Sequence, residues 1–432
     1  MQDSLTPDDL HPVADGGLLD RRVFLKRGLK LSAASLLTAS ALPLAAKEQA
    51  ADSALTAPDW MRKPGLPFSS YGKPSSHEKK IFRWVSANKL VPGNGVSWTP
   101  LHELEGILTP SGLHFERHHN GVPEIIPEQH RLLIHGMVKR PLKFSMSELV
   151  RYPMRSQLLF LECGGNSNAG WFEEPSQAAV GYMHGLASCS EWAGVSLSIL
   201  LDEAELDPAA TWIVAEGADG VAMNVSLPIG KAMDDCIVAI YQNGEKIRPE
   251  NGYPLRLIVP GWEGVLNVKW LRRLQITREP AMTRNETSKY TELLPSGQAR
   301  MFTFFIDAKS LITTPYVGQS LPGKGIYEIR GLAWSGRGRI KRVEVSADGG
   351  KTWAEADLQE PVLPLCFTRF RMAWNWDGGP AVLKSRAIDE TGYVQPERAA
   401  LVAERGRNGY FHYNAIMALE VDDEGAISHV YK

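Results

Sequence analysis

Between residues 300 and 320 the chain changes character, and that change constrains the fold more than any other feature. Downstream, "GIYEIRGLAWSGRGRIKRVEVSADGGKTWAEADL" (325–358) alternates apolar and polar positions and is cut by tight turns at Ser335-Gly336-Arg337-Gly338 and Asp348-Gly349-Gly350. "VLKSRAIDETGYVQP" (382–396) repeats the pattern, and the tail from residue 408 reads as closing strands. Short strands at this spacing over about a hundred residues predict an antiparallel sandwich. Upstream the texture is mixed. "SQLLFLEC" (156–163), "TWIVAEG" and "LRLIVPG" read as buried strands, whereas "VSLSILLDEAEL" (195–206) has helical spacing and Ser145 opens a short helix. No regular βαβ alternation and no G-x-G-x-x-G turn appears, so the first half is α+β and not a nucleotide fold. The expected organisation is a leader over 1–46, an extended lead-in over 47–100, an α+β domain over 101–309 and a sandwich over 310–432.

The leader expectation rests on "DRRVFLKRGLKLSAASLLTASALPLAA" (20–46). Paired arginines, a modest apolar stretch and small residues near a cleavage point match the twin-arginine export pattern. Lys30 and several hydroxyl residues interrupt the stretch, so no membrane span is expected in the mature chain. Export by this route implies the periplasm and a protein folded before transport, often around a cofactor. The leader is expected to take no part in the fold. With 47 Lys+Arg against 49 Asp+Glu, overall charge points to neither nucleic acid nor an anionic membrane.

Four cysteines stand at 163, 189, 236 and 366. They form neither a C-x-x-C zinc pair nor a C-x-x-C-H haem site, and at most one disulfide is available among Cys189, Cys236 and Cys366 if Cys163 is a ligand. Cys163 ends a buried strand and is followed by Gly164-Gly165, a place that presents a side chain at a pocket rim. A structural thiol, a nucleophile and a soft metal ligand are all open there. "FERHHNGVPE" (115–124) carries Arg117, His118 and His119. His114 and His118 would form a metal pair only on a helix, which Gly121 and Pro123 oppose, so a basic loop facing an anion fits better. "NGYPLRLIVPGWEGVLNVKW" (251–270) sets Arg256 and Lys269 among glycines, which suits a phosphate-bearing cofactor. "SADGGKTW" (346–353) has the Asp-box pattern but occurs once, so it reads as a structural hairpin.

Taken together, "FERHHNGVP", "LECGGNSN", "NGYPLRLIVPG…NVKWL" and the 325–353 run resemble, in order over 115–432, the sulfite oxidase family of molybdenum enzymes. The resemblance implies an α+β molybdopterin-binding domain followed by an all-β immunoglobulin-like dimerisation domain. It implies that Cys163 is the thiolate ligand to molybdenum, and that Arg117, His119, Arg256 and Lys269 line the cofactor or its anion site. Asp219 would contact the pterin and Tyr290 would serve as the active-site tyrosine. The implied reaction is oxygen-atom transfer to sulfur, with electrons leaving to a separate, diheme-type cytochrome c, since this sequence has no haem motif. The chain departs from the family where cations are expected: Ser167 and Asn168 replace an arginine pair, Ile416 replaces a later arginine, and Asn251 replaces a histidine. A pocket shedding anion-binding cations is similar to the sulfane dehydrogenase branch, whose substrate is a persulfide on a sulfur-carrier protein. Free sulfite, and a sulfoxide on the same scaffold, are the alternatives.

Overall fold

The computed structural model describes residues 12–20, 58–64, 67–301, 303–407 and 409–432. A mixed sheet, an antiparallel sheet and two smaller ones build the first domain. One sheet runs, in spatial order, Asn224–Pro228, Trp212–Gly217, Leu271–Thr277, Arg131–Gly136 and Leu142–Ser145. Its single parallel pair joins Leu271–Thr277 to Arg131–Gly136. The other runs Glu245–Lys246, Ile237–Gln242, Ala187–Ser196 and Met154–Glu162, with Arg256–Ile258 also paired to Ile237–Gln242. The helix Leu197–Ala204 packs Leu197, Leu200, Leu201 and Ala204 into the core between the sheets, as its spacing predicts. The helix Met146–Leu149 starts with a reciprocal Ser145–Glu148 capping box.

The second domain is a sandwich. One sheet holds Lys309–Thr314, Gly325–Trp334 and Thr368–Trp376; the facing sheet runs Ala354–Glu355, Ile340–Ser346, Ala381–Asp389, Ala418–Val421 and Ile427–Val430. Ile329, Val343, Val345, Phe370, Trp374 and Leu383 fill the space between them. The tail supplies the closing strands that its pattern indicates.

Two expectations for the N-terminal part are corrected. Residues 84–98 are not an extended lead-in: Trp84–Ala87 and Gly95–Trp98 form a hairpin that pairs onward with Glu116–His118. Residues 12–19 do belong to the fold. Leu18 and Leu19 pair with Trp374 and Ala373, and both leucines are buried. Burying one such side chain contributes about 1.5–3 kcal/mol, ample reason for the segment to settle on the sheet. The arginine pair at 21–22 and the apolar stretch after it lie outside the described residues. Among the described residues, no helix is long and apolar enough to cross a membrane.

Candidate active site

The strand Met154–Glu162 delivers Cys163 to the edge of a cleft enclosing about 670 Å³ including its open mouth. Arg117, His119, Cys163, Asp219, Arg256, Lys269 and Tyr290 all line this one cleft, brought together from six separate stretches of chain. The glycines after the cysteine are explained by close approach. A Cβ on Gly164 would stand 3.0 Å from Glu263 Oε1, and one on Gly264 would stand 2.8 Å from the Glu162 carbonyl. Small residues on both sides let the turn Gly264–Leu266 lie against the cysteine corner.

Cations dominate the cleft. Arg256 is buried, donating from Nε to the Asn267 carbonyl at 3.2 Å and from Nη1 to the Asn251 carbonyl at 2.9 Å. Burial lowers its pKa to about 9. Lys269 Nζ donates to the carbonyls of Arg117 and Glu250 at 3.1 and 3.2 Å, and lies 2.8 Å from His118 Nδ1. Burial, followed by the neighbouring Arg256, pushes the Lys269 ammonium well down. Arg117 caps the loop carbonyl of His118 and reaches His119 Nδ1 at 3.2 Å. Burial and then Arg117 take His119 down to about 4, so it is neutral at pH 7 and accepts from that guanidinium. Among the described residues, Arg117, Arg256 and Lys269 make no ion pair; Asp219 accepts from the Met223 N–H at 2.9 Å. Cations held on neutral carbonyls, facing open space, are arranged for an anion.

Cys163 and Tyr290 line the same cleft. The Tyr290 ring stacks on Phe411 at 5.0 Å, and among the described residues its hydroxyl has no hydrogen-bond partner. Burial raises its pKa, with Cys163 and Glu263 adding to the effect, so the phenol keeps its proton. Burial likewise pushes the Cys163 thiol up, opposed by the Gly165 backbone and Arg117. A thiolate there gains most from a metal cation bound directly to sulfur. A soft sulfur donor beside buried cations with no anionic partner fits a molybdenum–pterin group carrying phosphate.

His118, read in the sequence as part of a basic loop, has partners that the sequence does not show. Its Nε2 donates to Glu116 Oε2 at 2.7 Å, Glu116 in turn meets Arg83, and its Nδ1 accepts from Lys269. With both ring nitrogens engaged, and His114 Nδ1 against its neighbour's carbonyl at 3.0 Å, the histidines form no zinc pair. Trp270, also lining the cleft, sits at φ +53° with its indole donating to the Pro249 carbonyl at 2.9 Å. A bulky residue in that region marks strain held in place by its surroundings. The departures from the family pattern lie elsewhere: none of Ser167, Asn168 and Ile416 lines the cleft. Ser167 Oγ instead contacts Lys309 Nζ at 2.5 Å and His184 Nδ1 at 2.6 Å in a buried network.

Two family models match the chain: an oxidoreductase molybdopterin binding domain over residues 119–285 and a Mo-co oxidoreductase dimerisation domain over 300–418. The crystal structure of the sulfane dehydrogenase SoxCD from Paracoccus pantotrophus superposes with a TM-score of 0.83 at 44% identity, covering 86% of this chain and 96% of that one. The chain belongs to the sulfite oxidase family of molybdenum oxidoreductases. Within the family it is 31% identical to mouse mitochondrial sulfite oxidase over 326 residues, 68% of this chain and 58% of that protein. It is 32% identical to nitrate reductase [NADH] 2 of Nicotiana tabacum over 342 residues, 69% of this chain and 38% of that protein. The chain thus spans about half the length of these curated relatives. The α+β and sandwich pair is the family's molybdopterin-binding and dimerisation arrangement, and molybdenum cofactor is the group that this domain implies.

Proposed function

We propose that this chain is the molybdenum subunit of a periplasmic sulfane dehydrogenase. It would be exported by its twin-arginine leader, dimerise through the sandwich, and pass electrons to a separate cytochrome c. When bound, the molybdenum cofactor supplies oxygen-atom transfer and two-electron redox chemistry. The chain's own groups do the rest. Cys163 holds the metal through sulfur, while Arg117, Arg256 and Lys269 neutralise the anionic parts of the cofactor. Asp219, on the cleft wall, would accept from the pterin. Tyr290 keeps its proton and offers an unpaired O–H into the cleft, where it donates to an oxygen of the substrate or cofactor.

The observation that carries the substrate reading is the replacement of cations after the cysteine. Ser167 spends its hydroxyl in the buried network, Asn168 is neutral, and Ile416 is buried and apolar. None of the three lines the cleft; that cations at these positions reach the anion site is taken from the family resemblance. Without them free sulfite would lose charge-assisted partners, whereas a persulfide tethered to a carrier would be oriented by the carrier. Tyr410, more than half exposed and 3.3 Å from a Cβ placed on Gly165, puts an amphipathic ring beside the cysteine loop for such a carrier to meet. The test is rapid-mixing reduction of the molybdenum-loaded enzyme by free sulfite and by a carrier protein bearing a cysteine persulfide. Reduction by the carrier at least tenfold faster at equal concentration is expected. Faster reduction by micromolar sulfite would assign the chain to sulfite dehydrogenase instead.

A further inference from the structure

The sequence preceding the arginine pair, "PVADGGLL" (12–19), is fitted to the sandwich through Asp15, its two glycines and its two leucines. Thr368–Trp376 gives one edge wholly to Gly325–Trp334 and the first part of its other edge to Asp357–Gln359. Leu18 and Leu19 continue that second edge, opposite Trp374 and Ala373. Leu18 enters the sandwich core, and Leu19 lies with Ala373 and Ile326. The turn ahead of them needs its glycines: Gly16 and Gly17 have φ +75° and +88°. A Cβ on Gly17 would stand 2.1 Å from the Asn375 carbonyl, and one on Gly16 would stand 2.9 Å from Ala347.

Polar groups are matched as well. The indole of Trp374, a fully buried side chain, donates to the Gly16 carbonyl at 2.8 Å, its acceptor among the described residues. The Asp15 N–H donates to Thr352 Oγ1 at 3.0 Å. Thr352 belongs to the Asp-box hairpin, where its hydroxyl donates to Asp348 Oδ2 at 2.7 Å and remains able to accept. The hairpin thus supplies an acceptor to the incoming strand. A buried indole N–H and a core leucine slot both completed by residues 12–19 are features of a built docking site.

We propose that Pro12–Leu19 is an intramolecular docking strand that holds the export leader on the folded sandwich and departs with the leader on processing. Its seat exists only after Thr368–Trp376 and the 346–353 hairpin have come together, so the docked strand reports that the sandwich is complete. Precursor and processed enzyme then differ at this sheet edge as well as in the leader. The departure on processing rests on the twin-arginine reading of residues 20–46; the docking does not.

Amide hydrogen exchange on the full-length, molybdenum-loaded precursor tests the docking, comparing the wild type with Leu18→Asp and Gly17→Val. Peptides covering 12–20 and 368–376 should exchange at least tenfold faster in both variants, with 325–334 and 381–389 unchanged. Equal exchange of 12–20 in wild type and variants would overturn the proposal. In the processed enzyme recovered from a host with twin-arginine export, 368–376 should exchange at least tenfold faster than in the precursor, and unchanged protection would overturn the departure. Export that survives Arg21→Lys with Arg22→Lys would refute the leader reading while leaving the docking result standing.

Discussion

Replacing Lys309 with methionine tests how the Cys163 loop is held. Lys309, on the first strand of the sandwich, is 1% exposed and meets Glu162, itself 4% exposed, at 3.0 Å. Glu162 is the residue before Cys163. Its carboxylate also accepts from Trp334 Nε1 at 2.6 Å and Asn166 Nδ2 at 2.9 Å. Methionine keeps the stem's packing but leaves a buried carboxylate with two neutral donors and no cation. Removing one partner of a buried pair costs about 3–5 kcal/mol. At about 2–4 °C per kcal/mol for domains of this size, the melting temperature should fall by roughly 10 °C. A second change, Glu162→Gln, should restore only part of the loss, because an amide NH₂ must then face either the Trp334 or the Asn166 donor. Calorimetry on the single and double variants, with molybdenum content measured alongside, checks both parts. A melting temperature of the Lys309→Met variant within about 2 °C of wild type would refute the account.

Cys163→Ser should leave the melting temperature within about 2 °C of wild type while molybdenum, read by elemental analysis, falls at least tenfold, because a hydroxyl is a poor soft-metal ligand. His118→Ala removes the acceptor of Lys269 and the donor to Glu116, so stability should drop by about 1–3 kcal/mol in denaturant titration and retained pterin should fall with it. The Asp348 carboxylate is pushed up by burial, but bonds from Thr352, Ser346 and Lys351 outweigh this and bring it to about 2. A depressed carboxylate stabilises above its unfolded pKa and loses that contribution as pH falls through the folded one. Asp348→Asn should therefore lower the melting temperature at pH 7, with the difference closing between about pH 4 and pH 2. Cys189 and Cys366 have their sulfurs 3.3 Å apart across the two domains, whereas Cys236 contacts the Lys231 carbonyl. A thiol oxidant applied to the full chain should cross-link the first two and spare Cys236, as peptide mapping would read.

Much of this architecture is legible because it is written locally. The strand ending at Cys163, the Ser145 cap, the amphipathic 197–204 helix and the Asp-box hairpin each declare themselves within a dozen residues. What escaped is carried between distant positions. Glu162 and Lys309 are 147 residues apart, and nothing near either announces that a buried charge will find its partner. His118 misleads for another reason. Read beside His114 it suggests a helical pair, yet the stretch is the strand Glu116–His118, whose hairpin partner lies at 95–98. Its role with Lys269 appears only once residues 118 and 269 meet. Residues 12–19 look like the polar front of a leader, and the Gly16-Gly17 pair carries no visible demand until Asn375 and Ala347 are placed against it.

The sandwich is usually thought of as the part of such an enzyme that makes dimers, but the geometry here gives it a share in the active site of its own chain. Glu162 is clamped by Lys309 and Trp334. Two residues on, the Gly164 carbonyl accepts from the His412 N–H at 2.7 Å. His412 is fixed in turn: its Nε2 meets Asp307 at 2.9 Å, and Asp307 is also held by Arg337 at 2.7 Å. Phe411, beside it, carries the ring of Tyr290. The Cys163 thiol and the proton-bearing Tyr290 phenol are thus both positioned from the tail near residues 411–412, although they and the cations of the cleft belong to the first domain. All the residues that line the cleft belong to the first domain, so the sandwich acts on it from behind, through the Cys163 corner and the Tyr290 ring. The buried Glu162–Lys309 ion pair ties the two domains together beside that corner, which gives a reason to keep a charge pair where apolar packing would be cheaper.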